Sequence, residues 1–188
     1  GLETAHFNLG EVALERLELD RASSSFGDSR DICRRLESPD CEAFAVARLA
    51  TVELEAGRLG EAARTADLAL GLARADGVTP STRAECLLTR ARIHRAAGET
   101  TAAHSRLDEA VGAVKGLSPM PVAVRCELVL AGVSLDQGRL DAARRHAAAA
   151  MEKGSAQGLR QLEAEASSLL VRSRVLAGEP AEAVRPTL

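Results

Sequence analysis

Apolar residues recur at spacings of three and four from the first residues onward. Leu2, Ala5, Leu9 and Val12, continued by Ala13 and Leu17, fall on one side of a helix. The same period predicts helices near 2–17, 20–36, 41–56, 60–76, 81–97, 100–115, 121–137 and 141–157, with a ninth starting near 160. No segment alternates with period two for long enough to predict a strand, so the chain reads as all-α.

The breaks between helices recur as well. Gly57-Arg58-Leu59-Gly60-Glu61-Ala62 returns as Gly98-Glu99-Thr100-Thr101-Ala102-Ala103, as Gly138-Arg139-Leu140-Asp141-Ala142-Ala143 and as Gly178-Glu179-Pro180-Ala181-Glu182-Ala183. A worn copy, Leu17-Glu18-Leu19-Asp20-Arg21-Ala22, precedes them, and successive copies lie 40, 41, 40 and 40 residues apart. A period in this range marks stacked helical repeats, an α-solenoid of antiparallel helix pairs. We therefore expect one continuous array over 1–188, with units near 1–40, 41–80, 81–120, 121–160 and a truncated 161–188. Both termini are expected to be cuts through a longer protein, because the chain starts already helical and Ala183 to Leu188 covers only a turn or two of a helix.

Aligning the copies on the turn gives columns. Three residues beyond the turn Gly stand Asp20, Gly60, Thr101, Asp141 and Ala181, mostly residues that cap helix N-termini. Five beyond it stands Ala every time: Ala22, Ala62, Ala103, Ala143 and Ala183. Seven before it stand Gly10, Ala50, Ala91, Ala131 and Val171. Small residues held in register mean helices that approach closely, with a knob from the neighbouring helix filling each gap. Gly57, Gly98, Gly138 and Gly178 supply the left-handed residue that ends the first helix. Leu17 in that conformation would cost about 1–2 kcal/mol, so a different first turn and a looser first unit are expected. Ser38-Pro39-Asp40, Thr79-Pro80-Ser81-Thr82 and Ser118-Pro119 punctuate the unit boundaries, and Thr82 with Glu85 has capping-box spacing.

A Gly turn, a small residue seven before it and Ala five after it resemble the tetratricopeptide repeat (TPR). Leu9-Gly10, Leu49-Ala50 and Leu130-Ala131 match that family's Leu-Gly pair, and Phe26 and Leu107 its large residue in the second helix. The resemblance covers about the whole chain and implies a right-handed superhelix. Two features depart from it: a period of 40 instead of about 34, and no Trp or Tyr at all. Long, aromatic-poor units of this kind are similar to the arrays of ATP-dependent LuxR-type transcription activators and multidomain Ser/Thr kinases of bacteria. The likeness implies a cytoplasmic interaction module, and an inner surface lined by first helices.

Two columns should face that surface. One is Thr4, Phe44, Glu85, Arg125 and Glu165; the other is Glu11, Thr51, Arg92, Gly132 and Arg172. The groove candidates are Phe44, Glu85, Arg92, Arg125, Glu165 and Arg172. Either the arginines fork onto a partner's carboxylates, or Arg92, Arg125 and Arg172 pair with Glu85 and Glu165 to leave a solvated groove of little net charge.

Charge and chemistry narrow the function further. A net charge of −3, with Arg34-Arg35 and Arg144-Arg145 the only short basic spots, gives no reason to expect direct nucleic-acid binding. No uncharged run approaches membrane-spanning length. Cys33, Cys41, Cys86 and Cys126 include no C-x-x-C pair and no His at ligand spacing, so no metal is expected. Cys86 and Cys126 share a column with Ala5, Ala45 and Ala166, a packing position. Four free thiols are expected, a disulfide or redox role being the alternative. His6, His94, His104 and His146 fall in four different columns, and pairs such as Glu11 and Glu15 suit a solvated helix face. Ser23-Ser24-Ser25 is a polar run that reads as an exposed face of the first unit, phosphorylation being the alternative. We expect no cofactor and no catalytic residue. The expected function is scaffold-like docking of a peptide or partner domain, with self-association through the end repeats as a further mode. The alternative is a small-molecule sensor that controls an attached ATPase or kinase, which a deep apolar pocket would favour.

Overall fold

The computed structural model describes residues 1–117 and 121–179. Its helices are α1 (Leu2–Glu15), α2 (Leu19–Arg35), α3 (Pro39–Glu55), α4 (Leu59–Leu72), α5 (Pro80–Ala96), α6 (Thr100–Ala113), α7 (Pro121–Asp136), α8 (Leu140–Ala156) and α9 (Arg160–Leu176). Each matches a predicted helix to within a few residues. Ser118-Pro119, Pro180, Ala181 and Ala183 lie outside the described residues.

The pairs α1/α2, α3/α4, α5/α6 and α7/α8 pack along their length, and the first helices α3, α5, α7 and α9 also pack on one another in sequence. Second helices instead wedge against the following first helix: α2 on α3, α4 on α5, α6 on α7, α8 on α9. This is an all-α solenoid of antiparallel pairs, with first helices on the inside.

The turn is built as its glycines suggest. The amide of Gly57 donates to the carbonyl of Leu54 and that of Arg58 to the carbonyl of Glu53, both at 2.9 Å. These two bonds satisfy the carbonyls a helix end leaves open, and they require the left-handed residue, here at φ 73°. Gly98, Gly138 and Gly178 repeat the geometry. Leu17 does so too, at φ 58°, with Leu17 donating to Leu14 and Glu18 to Ala13. The expectation of a different first turn is therefore overturned: the packing of α1 on α2 fixes the turn, and Leu17 bears the strain while remaining exposed.

The capping expectation also shifts. The second helices begin one residue after the turn bonds close, with Glu18, Arg58, Glu99 and Arg139 in the N-cap position and no side-chain cap bond. Asp20 and Asp141 therefore sit inside the first turn, where a carboxylate faces the positive end of the helix dipole. At α5 the cap is Thr79, whose hydroxyl oxygen accepts from the Thr82 amide at 3.2 Å. Thr82 is thus the donor of that cap, and the Thr82–Glu85 box does not form because the helix already starts at Pro80.

The small columns are the core. Ala22, Ala62 and Ala103 have no exposed surface, and Ala143 almost none. A methyl on Gly10 would lie 2.6 Å from the ring of Phe26, which is the expected knob. Where the second helix carries Ala66 in place of Phe26, Ile93 of the next unit joins Ala50, Ala62 and Ala66 in one cluster. The next unit gives Val52 to the Phe26 cluster at the same position, so the larger Ile93 recovers only part of the volume lost at Ala66.

Cys86 and Cys126 are buried free thiols, as their column implies. Burial pushes each thiol up to about 12, which keeps it protonated and inert. Cys33 and Cys41 are joined in a disulfide across the α2–α3 junction, with Cα atoms 5.6 Å apart, so the expectation of four free thiols is corrected to two. Their columns explain the pairing. One and two repeats on, the same positions carry Ala73 with Thr82 and Val114 with Val122, and the two valines pack in one cluster.

Candidate functional site

A groove of about 570 Å³ runs along the inside of the array. It draws on every first helix: Glu15 of α1, Arg48 of α3, Glu85 and Arg92 of α5, Arg125 and Leu128 of α7, Leu162 and Glu165 of α9. Leu88, Leu128, Val129, Leu162 and Leu169 form its apolar strip. Among the predicted residues, Glu85, Arg92, Arg125 and Glu165 line it.

The arginines are paired, though not all with the partners expected. Arg48 forks onto Glu11 at 2.6 and 2.7 Å, tying α3 to α1. Arg92 donates to Glu55 at 2.8 Å, tying α5 to α3. Arg125 donates to Glu85, tying α7 to α5, and Arg95 donates to Asp136 at 2.6 Å, tying the same two helices a second time. The result is a ladder of interhelical ion pairs from α1 to α7. Burial lowers the pKa of Arg92 and Arg125, and the positive charge of Arg48 lowers both further. Both guanidiniums nevertheless stay charged, held in range of their carboxylates.

Other predicted positions fall elsewhere. Phe44 stacks on Phe7 at 4.8 Å between ring centroids, and Phe7 packs edge-on against Phe26, so all three phenylalanines of the chain join in the first two units. Thr51 is buried, its hydroxyl donating to the carbonyl of Ala47. Arg172 is exposed on α9 and has no ion-pair partner among the described residues. Gly132 is covered by the Arg95 guanidinium, into which a methyl there would run. Glycine at that position makes room for Arg95 to reach Asp136.

Four of the groove residues that the two columns missed form a third. Arg48, Thr89, Val129 and Leu169 each stand four residues after Phe44, Glu85, Arg125 and Glu165. One helical turn separates the two columns, so the same face carries both. Among the described residues no group of three or more His, Cys, Asp or Glu could hold a metal ion, and no helix is long and apolar enough to cross a membrane.

The turn, the packed small columns and the inner row of first helices agree with the comparisons. The sequence model of a family described as the MalT-like TPR region matches residues 3–185. The chain belongs to this family. No curated protein matches it. Among solved structures, this MalT-like TPR chain is similar to BtubC (BKLC) from P. vanneervenii, with 19% identity and a TM-score of 0.69 over 94% of this chain and 74% of that one. It is also similar to the nearly identical TPR-like repeats of a putative kinesin light chain from Podosopora anserina. There the identity is 18% and the TM-score 0.65, over 96% of this chain and 89% of that one. These likenesses share the fold. A TPR-like array of this kind is an interaction or scaffold fold.

Proposed function

We propose that this MalT-like TPR array is the docking module of a larger bacterial signalling or transcription-regulatory protein in the cytoplasm, and that a peptide or partner domain lies in the inner groove. The observation that carries the reading is the breadth of the groove: its lining comes from all five first helices, which suits an extended partner better than a compact one. The apolar strip would supply the buried contact and the ion-pair ladder a polar, oriented rim.

The test uses the full-length protein and the partner that it captures. Leu128→Glu and Leu162→Glu, which place charge on the apolar strip, should weaken capture roughly tenfold or more, whereas Arg145→Glu on the exposed side of α8 should leave it unchanged. Equal capture by all three variants would overturn the reading.

A volume of about 570 Å³ also lies in the range of small-molecule pockets, which favours the sensor as second reading. In that case Leu128→Glu would abolish ligand-dependent control of the attached ATPase or kinase and leave partner capture intact.

A further inference from the structure

The unit-to-unit junctions can be compared position by position. In the first, Arg34 near the end of α2 donates to Glu42 in the first turn of α3, at 2.9 and 2.7 Å. One repeat on, the equivalent positions hold Arg74 and Arg83; the next junctions hold Lys115 with Ala123 and Ser155 with Glu163. The second junction thus places two cations where the first closes a salt bridge.

Arg74 and Arg83 line one cavity of about 370 Å³ between α4, α5 and α6, whose walls include Leu70 and Leu87. The carboxylates around it are already engaged: Asp67 accepts from Arg90 at 2.7 Å, and Glu109 accepts from Arg106 at 2.8 Å. Arg83 donates through Nε to the carbonyl of Ala73 at 3.1 Å, which anchors its guanidinium at the end of α4. Among the described residues neither Arg74 nor Arg83 pairs with a carboxylate, and Asp76 in the connector between them forms no ion pair. Both side chains are exposed, and because Asp67 and Glu109 are each held by another arginine, the cavity keeps a net positive charge that an oxyanion would offset. Their planar forks match the oxygens of a carboxylate or a phosphate.

We propose that this cavity is an oxyanion site, taking a carboxylate or phosphate carried on an apolar stem. The anion bridges Arg74 and Arg83 as Glu42 serves Arg34 one repeat earlier, and the stem lies against Leu70 and Leu87. The site stands apart from the inner groove, so its fate does not depend on the docking reading.

The test is thermal unfolding of the whole chain at constant ionic strength, titrated with inorganic phosphate, phenyl phosphate and phenylacetate. Wild type should show a saturable rise in Tm, about 3 °C at ten times Kd. Phenyl phosphate should bind several-fold more tightly than inorganic phosphate, and comparison with phenylacetate decides between phosphate and carboxylate as the preferred head. Arg74→Glu and Arg83→Glu should each lose the response, and Arg74→Glu should also raise the Tm in anion-free buffer, because it places opposite charges at the two positions as in the first junction. Arg74→Glu leaves the Arg83 bond to Ala73 intact, which separates loss of the site from damage to α4. A response that persists in both variants, or none in wild type, would overturn the proposal. Equal affinity for phenyl phosphate and inorganic phosphate would overturn the role of the stem.

Discussion

The column Ala22, Ala62, Ala103, Ala143 and the column Phe44, Glu85, Arg125, Glu165 sit on the same helix pairs and obey different rules. The first holds one residue type because every unit presents the same steric demand, two helices in contact with room for a methyl. The second changes from aromatic to acidic to basic to acidic because each side chain answers to a different neighbour: a ring of Phe7, a guanidinium of Arg125, a carboxylate of Glu85, and for Glu165 the open groove. Packing repeats with the backbone. Charge pairing does not, and it is there that one unit becomes distinguishable from the next.

That contrast can be broken at several points. Ala62→Leu or Ala103→Leu should destabilise by ~1–3 kcal/mol in denaturant unfolding, because the added atoms have no space. Glu165→Leu on the inner face should change stability by less than about 0.5 kcal/mol. If the alanine variants unfold like wild type, the columns do not report packing. Reducing the Cys33–Cys41 bond should cost about 2.5 kcal/mol, the loop-closure value for a short loop. Thiol titration in denaturant should count two thiols before reduction and four after it, and neither Cys86 nor Cys126 should react in the folded protein at neutral pH.

Gly132→Ala tests the inner face itself. Displacing Arg95 from Asp136 should cost roughly 1 kcal/mol, with a double-mutant cycle against Asp136→Asn showing coupling. Additive effects would mean that the glycine serves something else. The smallest change is a gain: Leu17→Gly should stabilise by up to about 1 kcal/mol, since glycine adopts φ 58° without the side-chain clash. A loss of stability would mean that the Leu17 side chain makes contacts worth more than the strain.

What could be read from the chain before its structure follows the same division. Helices, period, turns and the small columns were legible because each is a local or repeating demand, and Gly57 and Ala62 meet the same one as Gly98 and Ala103. The groove was half legible. Glu85, Arg92, Arg125 and Glu165 stand on the expected face, but Glu55 as partner of Arg92 and the cover of Arg95 over Gly132 depend on side-chain reach between helices that no column records. The disulfide was missed because Cys33 and Cys41 belong to different columns, and only the stacking of α2 on α3 brings those columns together. Leu17 was misjudged for the opposite reason: a local penalty of a kilocalorie or two was weighed against a turn that two packed helices enforce.

The ladder has one more consequence, a mechanical one. Its ion pairs stitch first helices to first helices, whereas among the described residues second helices pack on the next unit chiefly through its first helix. The inner edge therefore behaves as a hinge seam and the outer edge as the free pages of a book, so the array should bend by fanning open on its outside while the spacing along the groove stays nearly constant. Salt, which screens the exposed pairs of the seam, becomes a control on curvature.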